Sequence, residues 1–145
     1  MAKEVCVFCG EEVSSFSVKT VPCGPTYQYA CKTCEKEVTA LSEEERCRRA
    51  VQRGIAQSAV RLQEYIEIMD NAEAARPACL RCGEKLVFGE VQTLDNSPHR
   101  DSMFATGFKV LPACCTKCGK MELYNPVYIS GNKLLAYLVN KDTKD

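Results

Sequence analysis

The chain has 145 residues, with nineteen Lys plus Arg set against nineteen Asp plus Glu, one His and eleven Cys. Balanced charge excludes a protein held to phosphate by overall attraction, and no apolar run approaches the ~18 residues needed to span a bilayer. The cysteines form two clusters around a cysteine-poor middle, and clusters of roughly 30 to 60 residues seldom fold on apolar burial alone.

The chain runs from Met1 directly into a Cys-x-x-Cys motif at Cys6, without the apolar core of a signal peptide. The expected compartment is therefore the cytoplasm, where thiols stay reduced and paired cysteines read as metal ligands rather than disulfides. The first pair, Cys6-Val7-Phe8-Cys9, is followed by Gly10; the second is Cys31-Lys32-Thr33-Cys34, followed by Glu35. Cys-x-x-Cys-Gly is the sequence form of a zinc knuckle, in which two sulfurs grip one ion from a tight turn and glycine accepts the positive φ that follows. Cys34 lacks this glycine. Between the pairs, the alternation at Phe16 and Val18 predicts a ribbon strand.

The middle predicts a single long helix. Ser42 and Glu45 form a capping box, Glu43, Glu44 and Glu45 suit the positive end of the helix dipole, and Pro77 forces an end near Ala75. Cys47, Val51, Ile55, Ala59, Leu62, Ile66 and Met69 recur at three and four residues, one apolar helical face. At about 1.5 Å per residue this is a rod of roughly 50 Å, which Gly54 weakens or divides into two shorter helices. An apolar stripe of that length requires cover, by self-association or by folding back on a ribbon. Arg46, Arg49 and Arg53 share another face, with Arg48 close by and Arg61 farther on. They form either a phosphate-binding surface or a solvated face paired with glutamates.

The C-terminal cluster supplies Cys79-Leu80-Arg81-Cys82-Gly83 and Cys115-Thr116-Lys117-Cys118-Gly119. Leu86 and Phe88 predict a strand between them. After the last pair, Met121-Glu122-Leu123-Tyr124 and Val127-Tyr128-Ile129 lead through Gly131-Asn132 to Leu134–Val139, a pattern that suggests a closing β-hairpin, with a short helix over 134–139 as the alternative.

Each pair supplies half a tetrahedral site. Loop closure favours joining pairs across 21 residues (Cys6/Cys9 with Cys31/Cys34) and across 32 (Cys79/Cys82 with Cys115/Cys118), rather than the middle pairs across 44. An internal repeat agrees: Cys6–Val13 aligns with Cys79–Leu86, and without a gap Val18–Val21 falls on Val91–Leu94. Cys23, Cys47 and Cys114 stand outside the pairs. Cys114 lacks the two-residue spacing to Cys118, Cys47 lies on the apolar helix face, and Cys23 is an alternative ligand. His99, in a loop-like segment without a candidate nucleophile, makes no catalytic site.

The fold expected is a small metal-stabilised α+β protein: two zinc-ribbon modules joined by a long α-helix. Residues 1–41 form an N-terminal ribbon, 42–76 a helical linker, and 77–145 a C-terminal ribbon with its closing hairpin. Two Zn²⁺ per chain are expected. Iron is the alternative, because rubredoxin uses similar knuckles. The stretches Cys79–Leu86 and Cys115–Tyr124, with Cys6–Glu11 and Tyr29–Cys34, resemble small bacterial tandem zinc-ribbon proteins, mostly uncharacterised and often described as nucleic-acid-binding. The resemblance implies the ribbon fold and leaves the partner open.

No phosphate-binding glycine loop, nucleophile elbow or His-Glu-x-x-His motif occurs, and a four-cysteine site leaves no open position for water. The function expected is non-enzymatic: a zinc-binding adaptor with a protein partner or self-association through the helix, and no membrane. The alternatives are nucleic-acid binding and rubredoxin-like electron transfer.

Overall fold

Three of the Cys-x-x-Cys-Gly turns share one backbone pattern in the computed structural model, which describes residues 3–94 and 107–144. The amide of the glycine donates to the carbonyl of the first cysteine, Gly10 to Cys6 and Gly83 to Cys79 at 2.8 Å each and Gly119 to Cys115 at 2.9 Å. All three glycines have positive φ, between 71° and 83°. A side chain would be strained there, which is why glycine closes the turn.

The chain falls into two compact units, Met1–Asp70 and Asn71–Asp145. In the first, β1 (Lys3–Val5) and β2 (Glu12–Ser14) flank the knuckle as an antiparallel pair. β3 (Lys19–Cys23) and β4 (Thr26–Ala30) form a second hairpin, with Lys19 opposite Ala30 and Cys23 opposite Thr26. The two hairpins are joined where the Val7 amide donates to the Tyr29 carbonyl at 2.9 Å. Phe16, placed in a strand by its alternation, instead lies in the turn between β2 and β3 and is 93% exposed.

α1 (Lys32–Thr39) follows β4 at once, and α2 (Glu43–Val51) opens with the expected capping box between Ser42 and Glu45. The single long helix is not formed. α2 stops at Val51, and α3 (Ala59–Ala72) begins eight residues later, ending through a 3₁₀ turn at Ala75 as Pro77 requires. The interruption has two causes. Gly54 and Ser58 both take left-handed φ, 70° and 51°. The fully buried Gln28 side chain also takes the place of helix hydrogen bonding at Gln57, accepting from its amide at 2.7 Å and donating to its carbonyl at 2.8 Å. Gln28 is held in turn by Thr26, whose hydroxyl oxygen accepts from it at 2.9 Å. Past the break, the Tyr65 ring lies over Gly24 in the β3–β4 turn, where a β-carbon would stand 2.3 Å from it.

The stripe expected to run the length of the rod is therefore split. Leu62, Ile66 and Met69 are buried, as is Cys47, while Ile55 in the break and Ala59 are exposed. Much of the face that was to seek a partner is already covered within the chain.

In the second unit an antiparallel sheet holds β5 (Leu86–Phe88), β6 (Gln92–Leu94), β7 (Phe108–Cys115) and β8 (Met121–Tyr124). β5 and β6 pair with successive parts of β7, and β8 pairs with its other side. In place of the expected closing hairpin stand two helices, α4 (Pro126–Gly131) and α5 (Lys133–Asp142), the second covering the helix over 134–139 that was the alternative. The polar signals read as a Gly-Asn turn are caps. Asn125 accepts from the Val127 amide ahead of Pro126, and Asn132 accepts from the amides of Leu134 and Leu135. One sheet face and these helices share a core of Leu86, Phe88, Leu111, Ile129, Leu135 and Leu138. Arg76 locks this arrangement through two nearly buried side chains, donating to Asp142 at 2.6 and 2.9 Å, while Asp142 also accepts the Phe88 amide at 2.9 Å.

The internal repeat holds at hydrogen-bond level. Val5 pairs with Glu12 and Ala78 with Lys85; the Cys6 amide donates to Glu11 and the Cys79 amide to Glu84. His99 and the segment 95–106 lie outside the described residues.

Candidate metal centres

In the first unit the knuckle between β1 and β2 carries Cys6 and Cys9, and β4 delivers Cys31 directly into α1. Cys31 is the N-cap of that helix, its sulfur accepting from the Cys34 amide at 3.4 Å and its carbonyl from the Glu35 amide at 2.9 Å. Cys34 thus needs no glycine after it, because the chain continues as helix. In the second unit the knuckle ahead of β5 carries Cys79 and Cys82, and β7 ends on Cys115, opposite Leu86 in register. A third knuckle then adds Cys118.

The sulfurs of Cys6, Cys9, Cys31 and Cys34 all lie within 4.8 Å of one another, as do those of Cys79, Cys82, Cys115 and Cys118. Separations of 3.9 Å for Cys9 to Cys31, 3.6 Å for Cys79 to Cys118 and 3.4 Å for Cys82 to Cys115 are non-bonded. A tetrahedral ion with metal–sulfur bonds of about 2.3 Å holds its sulfurs about 3.8 Å apart, so both cages have the dimensions of a Cys₄ site. The local pairing favoured by loop closure is the one the fold brings together.

The electrostatics fit the same ion. Burial works against ionisation of Cys6, yet backbone donors from Cys31, Cys9 and Phe8 outweigh it and hold the thiol down at about 7. Cys115 is drawn to about 7, chiefly by the Cys118 amide against the pull of burial. Their neighbours go the other way: burial first, then the sulfurs of Cys31, Cys9 and Cys6, push Cys34 up. The Glu84 amide favours the Cys82 thiolate, but Cys115, burial and the remaining sulfurs outweigh it and push Cys82 up to about 12. Four crowded thiols cannot all ionise by themselves, and a divalent cation would supply the missing counter-charge.

The other cysteines stand apart. Cys23 and Cys47 are fully buried at the contact of β3 with α2 and hydrogen-bond to each other, so Cys23 belongs to neither cage. Cys114 is exposed on β7, between Val87 and Met121 on the neighbouring strands.

The arginines expected to share a phosphate-facing surface are largely engaged inside the first unit. Arg46 donates to the carbonyls of Pro22 (3.2 Å) and Leu41 (2.9 Å), and Arg48 pairs with Glu44 and Asp70. Arg53 donates from Nε to the Phe8 carbonyl at 3.0 Å, within the first knuckle. Arg49 and Arg61 are exposed. The Pro22 and Phe8 carbonyls lie 24 and 45 residues from Arg46 and Arg53, so helical spacing carried no sign of these two bonds.

Among the described residues no helix is long and apolar enough to cross a membrane. Compared with protein families, curated proteins and solved structures, the chain matches none.

Proposed function

We propose that this protein is a non-enzymatic adaptor of the reducing cytoplasm whose two Cys₄ sites each hold one structural Zn²⁺ ion. The observation that carries this reading is that each cage fills all four positions with cysteine sulfur, leaving no place for a reacting water or substrate. Zinc suits such a site because it tolerates closed tetrahedral thiolate coordination without redox change.

The adaptor part of the proposal rests on surface rather than chemistry. Phe108, Met121 and Leu123 are more than half exposed on β7 and β8, and Leu80 at the tip of the second-unit knuckle is 84% exposed. Apolar side chains grouped on a rigid sheet face suit contact with protein better than with phosphate. The engagement of Arg46 and Arg53 with carbonyls points the same way.

Native mass spectrometry of the purified chain should find two zinc ions, with no visible absorbance. A coloured protein with bound iron would replace the adaptor reading with electron transfer. Retention on RNA or DNA that falls steeply with salt would replace it with nucleic-acid binding.

A further inference from the structure

The two cages are alike in ligands and size but differ in what surrounds them. On the first, the Arg53 guanidinium arrives from the break after α2 and bonds the Phe8 carbonyl at 3.0 Å, inside the Cys6–Cys9 turn. Its Nη1 also stands 3.3 Å from where a β-carbon on Gly10 would be, so the cation spans the knuckle from Phe8 to Gly10. The break that places Arg53 is pinned by Gln28 through Gln57. Among the described residues, no guanidinium is hydrogen-bonded across either knuckle of the second site, where the cations within the turns, Arg81 and Lys117, make no side-chain bond to the knuckle backbone. There the corresponding turn donates its Leu80 amide to a carboxylate oxygen of Glu122 at 3.4 Å, and Lys120, 3.4 Å from that oxygen, offsets the charge only in part. In the first unit the equivalent amide, that of Val7, meets the neutral Tyr29 carbonyl. The carboxylates that follow the knuckle glycines, Glu11 and Glu84, occur in both sites and so cancel in the comparison.

Access differs less. The most accessible sulfur is at the same place in each cage, Cys9 and Cys82, and Cys82 is the more exposed of the two residues.

We propose that the two sites divide the work: Arg53 makes the N-terminal site a retained structural centre, and the C-terminal site is the exchangeable one, open to metal acceptors through Cys82. This rests on the reading of both cages as metal sites. A divalent ion with four thiolates is net anionic, so a fixed guanidinium on the knuckle stabilises it, while a carboxylate at the same turn weakens the hold on the ion. Ion loss from a Cys₄ site to a chelator proceeds by successive replacement of thiolates. An exposed sulfur is the first that an incoming ligand can displace.

The full chain loaded with Zn²⁺ is mixed with the chromophoric chelator 4-(2-pyridylazo)resorcinol, and zinc transfer is followed by absorbance. Iodoacetamide pulses with peptide mass spectrometry report which cysteines have been freed. The first zinc should leave with labelling of Cys79, Cys82, Cys115 and Cys118, and the second roughly tenfold more slowly with labelling of Cys6, Cys9, Cys31 and Cys34. Arg53→Gln should speed the second phase and leave the first unchanged, while Arg53→Lys, which keeps the charge, should speed it less. Glu122→Gln should slow the first phase.

First labelling of the N-terminal cysteines, or equal rates at the two sites, overturns the proposal. Should Arg53→Gln unfold the first unit, Glu122→Gln decides alone: no slowing of the first phase overturns it. Failure of the parent chain to bind two ions is a different result, since it removes the metal reading itself.

Discussion

In the N-terminal unit the second cysteine pair is the first turn of a helix, whereas in the C-terminal unit it is a knuckle at the end of an eight-residue strand. The first pair is the same turn in both units, down to the amide that closes it and the bridge that flanks it. Half a tetrahedral site can thus be built by a strictly local turn, while the other half needs only two sulfurs two residues apart at the right place. A helical turn and a knuckle both provide that spacing. What differs is the support behind them: the first unit is pinned by the neutral Gln28–Gln57 clamp, the second by the charged Arg76–Asp142 pair.

The largest expected effect removes a sulfur. Metal binding to structural zinc sites supplies on the order of 10–16 kcal/mol of folding free energy, so a cage that loses one ligand should lose its unit. Cys79→Ser should abolish dispersed amide signals from residues 71–94 and 107–144 and leave those of the first unit in place, with Cys6→Ser doing the reverse. The measurement is a two-dimensional amide spectrum together with a zinc count, which should fall to one. Loss of both halves in either variant would mean that the two units do not fold independently.

The cages were legible in the sequence because a knuckle is written in five consecutive residues and glycine marks its positive φ. The supports were not. Gly54 signalled that the central helix was weak, but the clamp that ends it comes from Gln28, 29 residues away and in a strand. Asn132 was misread for a different reason. Asparagine serves equally as a hairpin turn residue and as a helix cap, and only the burial of Leu135 and Leu138 against the sheet decides between them. Arg53 belonged to a helical face by spacing and to the metal site by tertiary contact, a role that no local pattern records.

A smaller effect separates the two supports. Asp142→Ala removes the more buried of the two carboxylates on Arg76, which is 6% exposed, and the acceptor of the Phe88 amide. Breaking a buried ion pair costs about 3–5 kcal/mol, and the bonds that Arg76 keeps to Glu73 and to the Leu86 carbonyl place this case at the low end. Gln28→Ala leaves the Gln57 amide and carbonyl without their partner, a loss of about 1–3 kcal/mol confined to the first unit. Amide exchange resolved by residue should show Asp142→Ala destabilising only the second unit, and by more than Gln28→Ala destabilises the first. The opposite order would mean that the neutral clamp is the stronger support.

The smallest effect is the titration of one tyrosine in the second unit. Burial first, and then the Glu122 carboxylate that accepts its hydroxyl at 3.0 Å, push Tyr124 up to about 12 from the ordinary tyrosine value of 10. A folded state that holds this proton more tightly than the unfolded chain gains stability that is fully present below pH 10 and lost as pH rises through about 12. The chain has six tyrosines, so the test is a difference. Phenolate absorbance is followed from pH 8 to 13 in the parent and in Tyr124→Phe, and the component lost on substitution should titrate at about 12. In Glu122→Gln that component should move back toward 10, since the neutral amide no longer opposes a second negative charge, although burial keeps part of the shift. A Tyr124 component that titrates at about 10 in the parent would show that the Glu122 carboxylate does not face this hydroxyl. The contact that distinguishes the second knuckle from the first would then lose part of its support, because the same carboxylate receives the Leu80 amide.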